Sequence, residues 1–135
     1  MKKSEKTMDV VFILDRSGSM RGAENDTIGG YNSYLDNFKD KNARITTVLF
    51  DDNYEMITTR QKVSEVPKLT KKEYFVRGTT ALLDAVGKTI KFIEKEQAEK
   101  VMFIITTDGM ENASREFTKE QVKELIEGHS KWEFM

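Results

Sequence analysis

Two stretches of the chain are apolar almost without interruption, and the other elements are arranged around them. Met8-Asp9-Val10-Val11-Phe12-Ile13-Leu14 leads into Asp15, and Lys100-Val101-Met102-Phe103-Ile104-Ile105-Thr106-Thr107 leads into Asp108-Gly109. A short apolar run without alternation, bounded by turn formers, is what a strand covered on both faces requires. Between the two runs the period changes. Ile28, Tyr31, Leu35 and Phe38 recur at helical spacing and predict a helix over about residues 23–41, while Leu83, Val86, Ile90 and Ile93 predict another over about residues 80–97. Gly29 and Gly30 interrupt the first helix, where each costs up to about 1 kcal/mol relative to Ala. Close packing or a local kink is the expected reason.

Ala43 to Phe50 is rich in β-branched residues, and the turn formers Asp51-Asp52-Asn53 separate it from a second strand-like stretch, Tyr54 to Thr59. So short a connection forces an antiparallel hairpin. Residues 60–77, polar and holding the only proline, Pro67, read as a loop over the sheet's edge. Thr118 and Gln121 have the spacing of a capping box that opens a short helix to about Glu127, and residues 131–135 begin another strand. Two doubly buried strands separated by helices pair in parallel through right-handed crossovers. The fold class is therefore α/β: a doubly wound, mostly parallel sheet with one antiparallel edge hairpin and helices on both faces. The expected organisation is a single domain over residues 1–135, with residues 1–7 a flexible N-terminus. Met135 falls inside a strand, so a shortened domain, or one completed by a second copy, is expected.

Composition removes several classes of function. The 22 basic and 23 acidic residues are well mixed and leave a net charge of -1, so no global field recruits nucleic acid or a membrane surface. There is no cysteine, which excludes a disulfide framework, a thiolate metal site and a cysteine nucleophile, and fits a reducing compartment. The apolar run Val10 to Leu14 that follows the charged N-terminus is far too short for the core of a signal peptide, and no segment approaches the roughly 20 residues of a membrane span. The expectation is a cytoplasmic protein.

What chemistry remains is concentrated where the apolar runs end. Asp15-Arg16-Ser17-Gly18-Ser19-Met20 brings a carboxylate and two hydroxyls to the C-terminal end of a buried strand. Oxygen donors gathered in one loop suit Mg²⁺, Mn²⁺ or Ca²⁺ better than zinc or copper. In a doubly wound sheet the ligand site lies outside the carboxyl ends of the strands, where the strand order reverses. If the first strand is central, Asp15 and Asp108 emerge side by side at that point, and the loop Arg77-Gly78-Thr79-Thr80-Ala81-Leu82 opens onto the same rim.

Three motifs then resemble one family. Asp15-Arg16-Ser17-Gly18-Ser19 matches the Asp-x-Ser-x-Ser pattern of von Willebrand factor A (vWA) domains, Gly78-Thr79-Thr80-Ala81-Leu82 is similar to their Gly-Thr loop, and Thr107-Asp108-Gly109 to their Thr-Asp-Gly loop. They occur in the family's order, and the resemblance covers essentially the whole chain. Its style is closest to intracellular bacterial or phage members. The resemblance implies a metal-ion-dependent adhesion site (MIDAS) in which Ser17, Ser19 and Thr80 bind Mg²⁺, with Mn²⁺ or Ca²⁺ as alternatives, through their hydroxyls. Asp15 and Asp108 act through coordinated waters, and a protein partner's Glu or Asp completes the shell. The family's spacing favours Thr80 over Thr79 as ligand, with Ala85 the small residue on the following helix and Thr79 its cap. The resemblance also implies a sheet that ordinarily continues, after the position of Met135, with a further strand and helix.

The remaining residues have plainer readings. Asp51 and Asp52 are hairpin turn residues, Tyr31 and Tyr34 pack a helix, and Glu111 and Asn112 lie on the rim. His129 is expected to be solvent-exposed near a helix C-terminus, while Arg16 and Arg21 flank the site and meet carboxylates nearby or on a partner. The first functional reading is a non-catalytic, cation-dependent protein-binding module. A phosphoryl-transfer enzyme is the alternative, but aspartate-nucleophile phosphatases need a second carboxylate two residues after the first, and here that residue is Ser17. A third reading is a self-associating scaffold with a vestigial metal site, forming a homodimer through the edge strand at residues 131–135.

Overall fold

A computed structural model describes residues 7–96, 98, 100–107 and 113–135. Among these the chain runs as β1 (Met8–Asp15), a 3₁₀ turn (Gly18–Met20), α1 (Glu24–Phe38), β2 (Ala43–Phe50), β3 (Tyr54–Lys62), a second 3₁₀ turn (Val63–Glu65), α2 (Leu82–Glu96), β4 (Lys100–Thr106), α3 (Lys119–Glu127) and β5 (Glu133–Phe134). The five strands form one sheet in the order β3-β2-β1-β4-β5. β1 is central and parallel to both β2 and β4. β2 and β3 form the antiparallel hairpin, and β5 joins β4 in parallel through Met102 and Phe103. This is the α/β architecture that the two apolar runs imply. No helix among the described residues is long and apolar enough to cross a membrane.

Because successive side chains of a strand face opposite ways, β1 feeds two cores. Val10, Phe12 and Leu14 pack with Tyr31 and Leu35 of α1, whereas Val11 and Ile13 pack with Ala85, Val86, Ile90 and Ile93 of α2 and Val122 of α3. α3 opens with the reciprocal capping box: Thr118 Oγ1 accepts from Gln121 N at 3.1 Å, and Gln121 Oε1 accepts from Thr118 N at 2.9 Å. Phe117, just before that cap, lies on α2 where Gly87 leaves room; a Cβ at Gly87 would overlap its ring.

Four expectations change. The segment after β3 does not merely skirt the edge. Val63, Leu69 and Tyr74 are buried in the core beneath α1, and the Asn32 carboxamide holds Leu69 by both its N–H (2.8 Å) and its C=O (3.1 Å). Polar composition concealed three anchors spaced too far apart to show a period. α2 begins at Leu82, so Thr79 stands outside the helix and does not occupy the position of its cap. His129 is half-buried, hydrogen-bonded to Glu94 Oε2 at 2.6 Å and stacked on Trp132 at 3.6 Å between ring centroids. Its ring joins the end of α3 to α2, a tertiary contact with no local signature.

Gly29 and Gly30 are the fourth. Both are exposed, and a Cβ added at either would meet nothing within 4 Å. Close packing does not explain them. Gly29→Ala and Gly30→Ala are each expected to stabilise the protein by roughly 0.5–1 kcal/mol, because Ala restricts the unfolded chain and suits a helix interior. Thermal melts of the double variant should move up by about 5 °C. An unchanged or lower Tm would show that α1 needs its glycines for something other than its own conformation.

Candidate functional site

The rim is assembled by the carboxyl ends of β1, β2 and β4. Asp15 closes β1 and is fully buried; its Oδ1 accepts from Ser17 N at 2.7 Å, the side-chain-to-backbone turn that aspartate makes well. Its Oδ2 accepts from Thr107 Oγ1 at 2.7 Å, since the β1–β4 register sets Leu14 beside Thr106 and leaves the next residues facing. Ser17 Oγ lies 2.9 Å from Ser19 Oγ and accepts from Thr80 Oγ1 at 2.8 Å. Asp15, Ser17 and Thr80 are buried while Ser19 is exposed. Four of the five residues singled out in the sequence thus stand in one connected group. The fifth, Asp108, lies outside the described residues, as do Glu111 and Asn112. Of the two threonines, Thr80 is the one that reaches Ser17; Thr79 is exposed and faces the neighbouring groove.

Backbone bonds fix the loops to one another. Arg16 N donates to Phe50 O (2.7 Å), Gly18 N to Gly78 O (3.0 Å), Arg77 N to Arg16 O (2.8 Å), Ala81 N to Asp51 O (2.9 Å) and Ala113 N to Thr80 O (3.0 Å). Three side chains that sequence reasoning did not assign to the site reinforce this frame. Tyr74, fully buried, donates its hydroxyl to Asp15 O at 2.5 Å; burial raises its pKa above the ordinary tyrosine value, so the hydroxyl keeps its proton.

Asp51 is more than a turn residue. It accepts from Asn53 N at 2.8 Å and pairs with Arg77 Nε at 2.8 Å, tying the hairpin to the Gly78 loop. Asp84, at the start of α2, accepts backbone N–H groups from Arg115 (2.8 Å), Glu116 and Phe117 (both 2.9 Å). Burial opposes its charge, but those three donors prevail and hold its pKa below the ordinary aspartate value. It anchors the return of the chain from the rim to α3. An Asp near a helix N-terminus was the available signal, yet the dipole alone accounts for such a residue, and its partners lie about thirty residues away.

Among the described residues no three His, Cys, Asp or Glu side chains gather as a metal cluster. The donors that do gather are the hydroxyls of Ser17, Ser19, Thr80 and Thr107 around the Asp15 carboxylate, and a groove of about 690 Å³ lies beside the Thr80 loop, between Asn53, Thr79, Asp84 and Arg115.

The family model for VWA domain containing CoxE-like proteins matches residues 1–131. The chain belongs to this VWA family. Solved structures carry the same fold: the PilB minor pilin from Streptococcus sanguinis (13% identity, TM-score 0.69, 81% of this chain and 31% of that one), a von Willebrand factor type A protein from Catenulispora acidiphila (14%, 0.68, 96% and 32%) and the ArnB paralog VWA2 from Sulfolobus acidocaldarius (20%, 0.60, 84% and 30%). This VWA chain therefore spans about a third of the length of each. No curated protein matches it.

Proposed function

We propose that this VWA domain is a non-catalytic, divalent-cation-dependent protein-binding module. The observation that carries the reading is the spacing of its hydroxyls. Mg²⁺ takes oxygens at 2.0–2.1 Å in an octahedron, which puts neighbouring ligands roughly 2.9 Å apart. Ser17 Oγ lies 2.9 Å from Ser19 Oγ and 2.8 Å from Thr80 Oγ1. Both separations are ones that neighbouring ligands of a hard cation can keep, and the chemistry of the donor set, neutral hydroxyls beside a carboxylate, suits Mg²⁺ or Mn²⁺. Ser17, Ser19 and Thr80 would hold the ion, with Asp15 and Asp108 engaging it through water. When bound, the ion supplies a Lewis-acidic position for a carboxylate oxygen.

The remaining steps belong to the protein. Ser17 N and Thr107 Oγ1 fix the Asp15 carboxylate, Tyr74 fixes its backbone, and neutral hydroxyls leave positive charge for the Glu or Asp of a protein partner to compensate. Ser17 in place of a second carboxylate argues against phosphoryl transfer.

Calorimetric titration of Mg²⁺ and Mn²⁺ into chelator-stripped protein tests the proposal. Saturable heat is expected, with affinity reduced about 100-fold or more in Ser17→Ala and Asp108→Ala. At a metal concentration of about 100 Kd the wild type should gain about 2.7 kcal/mol of stability and the variants should not. Absence of heat in a cooperatively melting wild type would overturn it.

A further inference from the structure

Asp51 opens the hairpin turn after β2, a place where exposed residues are the rule, yet its side chain is 1% exposed. The turn itself does not require a charge. It asks for one acceptor, which Asn53 N finds in Asp51 Oδ1 at 2.8 Å, and asparagine makes that kind of turn as well as aspartate does. A buried carboxylate is costly unless it is paired and hydrogen-bonded, so the reason for the charge lies with the second oxygen. Asp51 Oδ2 accepts from Arg77 Nε at 2.8 Å, 26 positions away in the chain.

That bond reaches the loop that carries Thr80. Arg77 stands just before Gly78, and Ala81, just after Thr80, donates its N–H to Asp51 O at 2.9 Å. One residue therefore holds the loop at both ends, by its side chain at the entrance and by its main chain at the exit. Between these ends Gly78 lets the backbone lie against the carboxylate, since a Cβ there would stand 2.8 Å from Asp51 Oδ2. The loop meets the Asp15–Ser19 turn through Gly78 O, which accepts from Gly18 N at 3.0 Å, and through Thr80 Oγ1, which donates to Ser17 Oγ at 2.8 Å.

We propose that Asp51 is a positioning residue for the rim: through its grip on both ends of the loop it holds the Thr80 hydroxyl against Ser17, and so sets the affinity for the cation. The proposal rests on the reading of the rim as a cation site and adds a residue outside the donor set. Asp51 must be a carboxylate because two donors, one in its own turn and one in the remote loop, each take an oxygen. A carboxamide offers a single acceptor oxygen, so Asp51→Asn serves the turn or the loop and not both. Asp52 supplies the comparison, being the next residue, of the same charge, and exposed.

The test compares Asp51→Asn, Arg77→Met and Asp52→Asn. Amide hydrogen exchange in EDTA reads the loop without metal. Exchange at Gly18 and Ala81 is expected to quicken about tenfold in Asp51→Asn and Arg77→Met, relative to the β1 amides of Val11 and Ile13, which report opening of the whole domain; Asp52→Asn should match the wild type. Calorimetry then reads the rim. Mg²⁺ affinity should fall about tenfold or more in Asp51→Asn and Arg77→Met, and no further in the double variant, because all three lose the same bond. Tyr31→Phe, which removes a buried hydroxyl bonded to Thr47 Oγ1 and level with Phe12 in the sheet, should lower Tm and leave Mg²⁺ affinity unchanged. An equal loss of affinity in Asp52→Asn or Tyr31→Phe, or wild-type affinity in Asp51→Asn, would overturn the proposal. Absence of Mg²⁺ heat in the wild type with the exchange response intact removes the metal reading alone, and wild-type heat without the exchange response removes the role of Asp51 alone.

Discussion

Arg60→Ala is expected to lower stability by about 3–5 kcal/mol, the cost of leaving a buried charge without its partner. Arg60 grips Asp9 with two nitrogens, Nε to Oδ1 at 2.7 Å and Nη2 to Oδ2 at 3.0 Å. The exposures are unequal, 21% for Arg60 and 1% for Asp9. Removing the arginine therefore strands a carboxylate inside the sheet, whereas removing Asp9 leaves an arginine that still reaches water and Glu96 Oε1, 3.2 Å away. Asp9→Val should be the milder single change, and the double variant Asp9→Val/Arg60→Ala should recover a large part of the loss.

The pair also costs backbone strain. Arg60 is the one non-glycine residue with positive φ, at 44°, among the described residues. It sits in β3 where the pairing with β2 shifts register between Ile45 and Thr47, and its N–H reaches Thr46 Oγ1 at 3.1 Å. The irregularity turns the guanidinium toward Asp9. Urea denaturation of the three variants measures the cycle. Asp9 lies about 20 Å along β1 from Asp15 at the usual rise per residue, so Mg²⁺ affinity of the folded variants should match the wild type. A loss below about 1 kcal/mol in Arg60→Ala would mean that Asp9 finds water or another donor.

That pair also marks where the sequence stops being informative. β1 and β4 are legible because Val10 to Leu14, and Val101, Phe103 and Ile104, are buried by their position in the sheet, and an uninterrupted apolar run has few other uses. The hairpin follows from Asp51-Asp52-Asn53 and the capping box from Thr118 and Gln121, since each depends on residues within a few positions of one another. Asp15, Ser17 and Ser19 are legible for the same reason. Thr80 joins them only through a motif sixty-odd residues away, and its contact with Ser17 comes from a parallel sheet that must form first. The roles of Asp9, Asp51 and Asp84 are not legible, because each is a charged residue whose burial is decided by a partner distant in sequence: Arg60, Arg77 and the Arg115–Phe117 amides; that Arg16 meets a nearby carboxylate is legible, but not that the carboxylate is Glu55. Tyr74 stands in an irregular stretch, Lys71 to Arg77, with no period to mark which of its residues are buried. Local pattern reports which face is apolar; it does not report which charge has found a mate.

Gly78→Ala should disable the rim more thoroughly than the loss of a single hydroxyl. Gly78 has φ at 67°, a conformation that costs a residue with a Cβ about 1–3 kcal/mol. Space makes the cost larger. The added Cβ would overlap Asp52 Oδ1 and stand 2.8 Å from Asp51 Oδ2. Asp52 is exposed and can swing away. Asp51 cannot, because Arg77 Nε and Asn53 N hold its carboxylate and its carbonyl anchors Ala81. The loop itself must therefore move.

Two attachments move with it: Gly78 O, which receives Gly18 N from the turn carrying Ser17 and Ser19, and Thr80, whose hydroxyl bonds Ser17. The expected result is a Mg²⁺ affinity reduced at least about 100-fold together with about 2 kcal/mol or more of lost stability. Gly29→Ala provides the contrast, a glycine replaced where neither φ nor space objects. Calorimetry and melts on the two variants separate the contributions. If Gly78→Ala loses stability but binds Mg²⁺ as the wild type does, the loop serves the fold and the hydroxyl triad does not depend on it. If both fall together, the left-handed turn at Gly78 is what holds Thr80 against the Asp15–Ser19 loop.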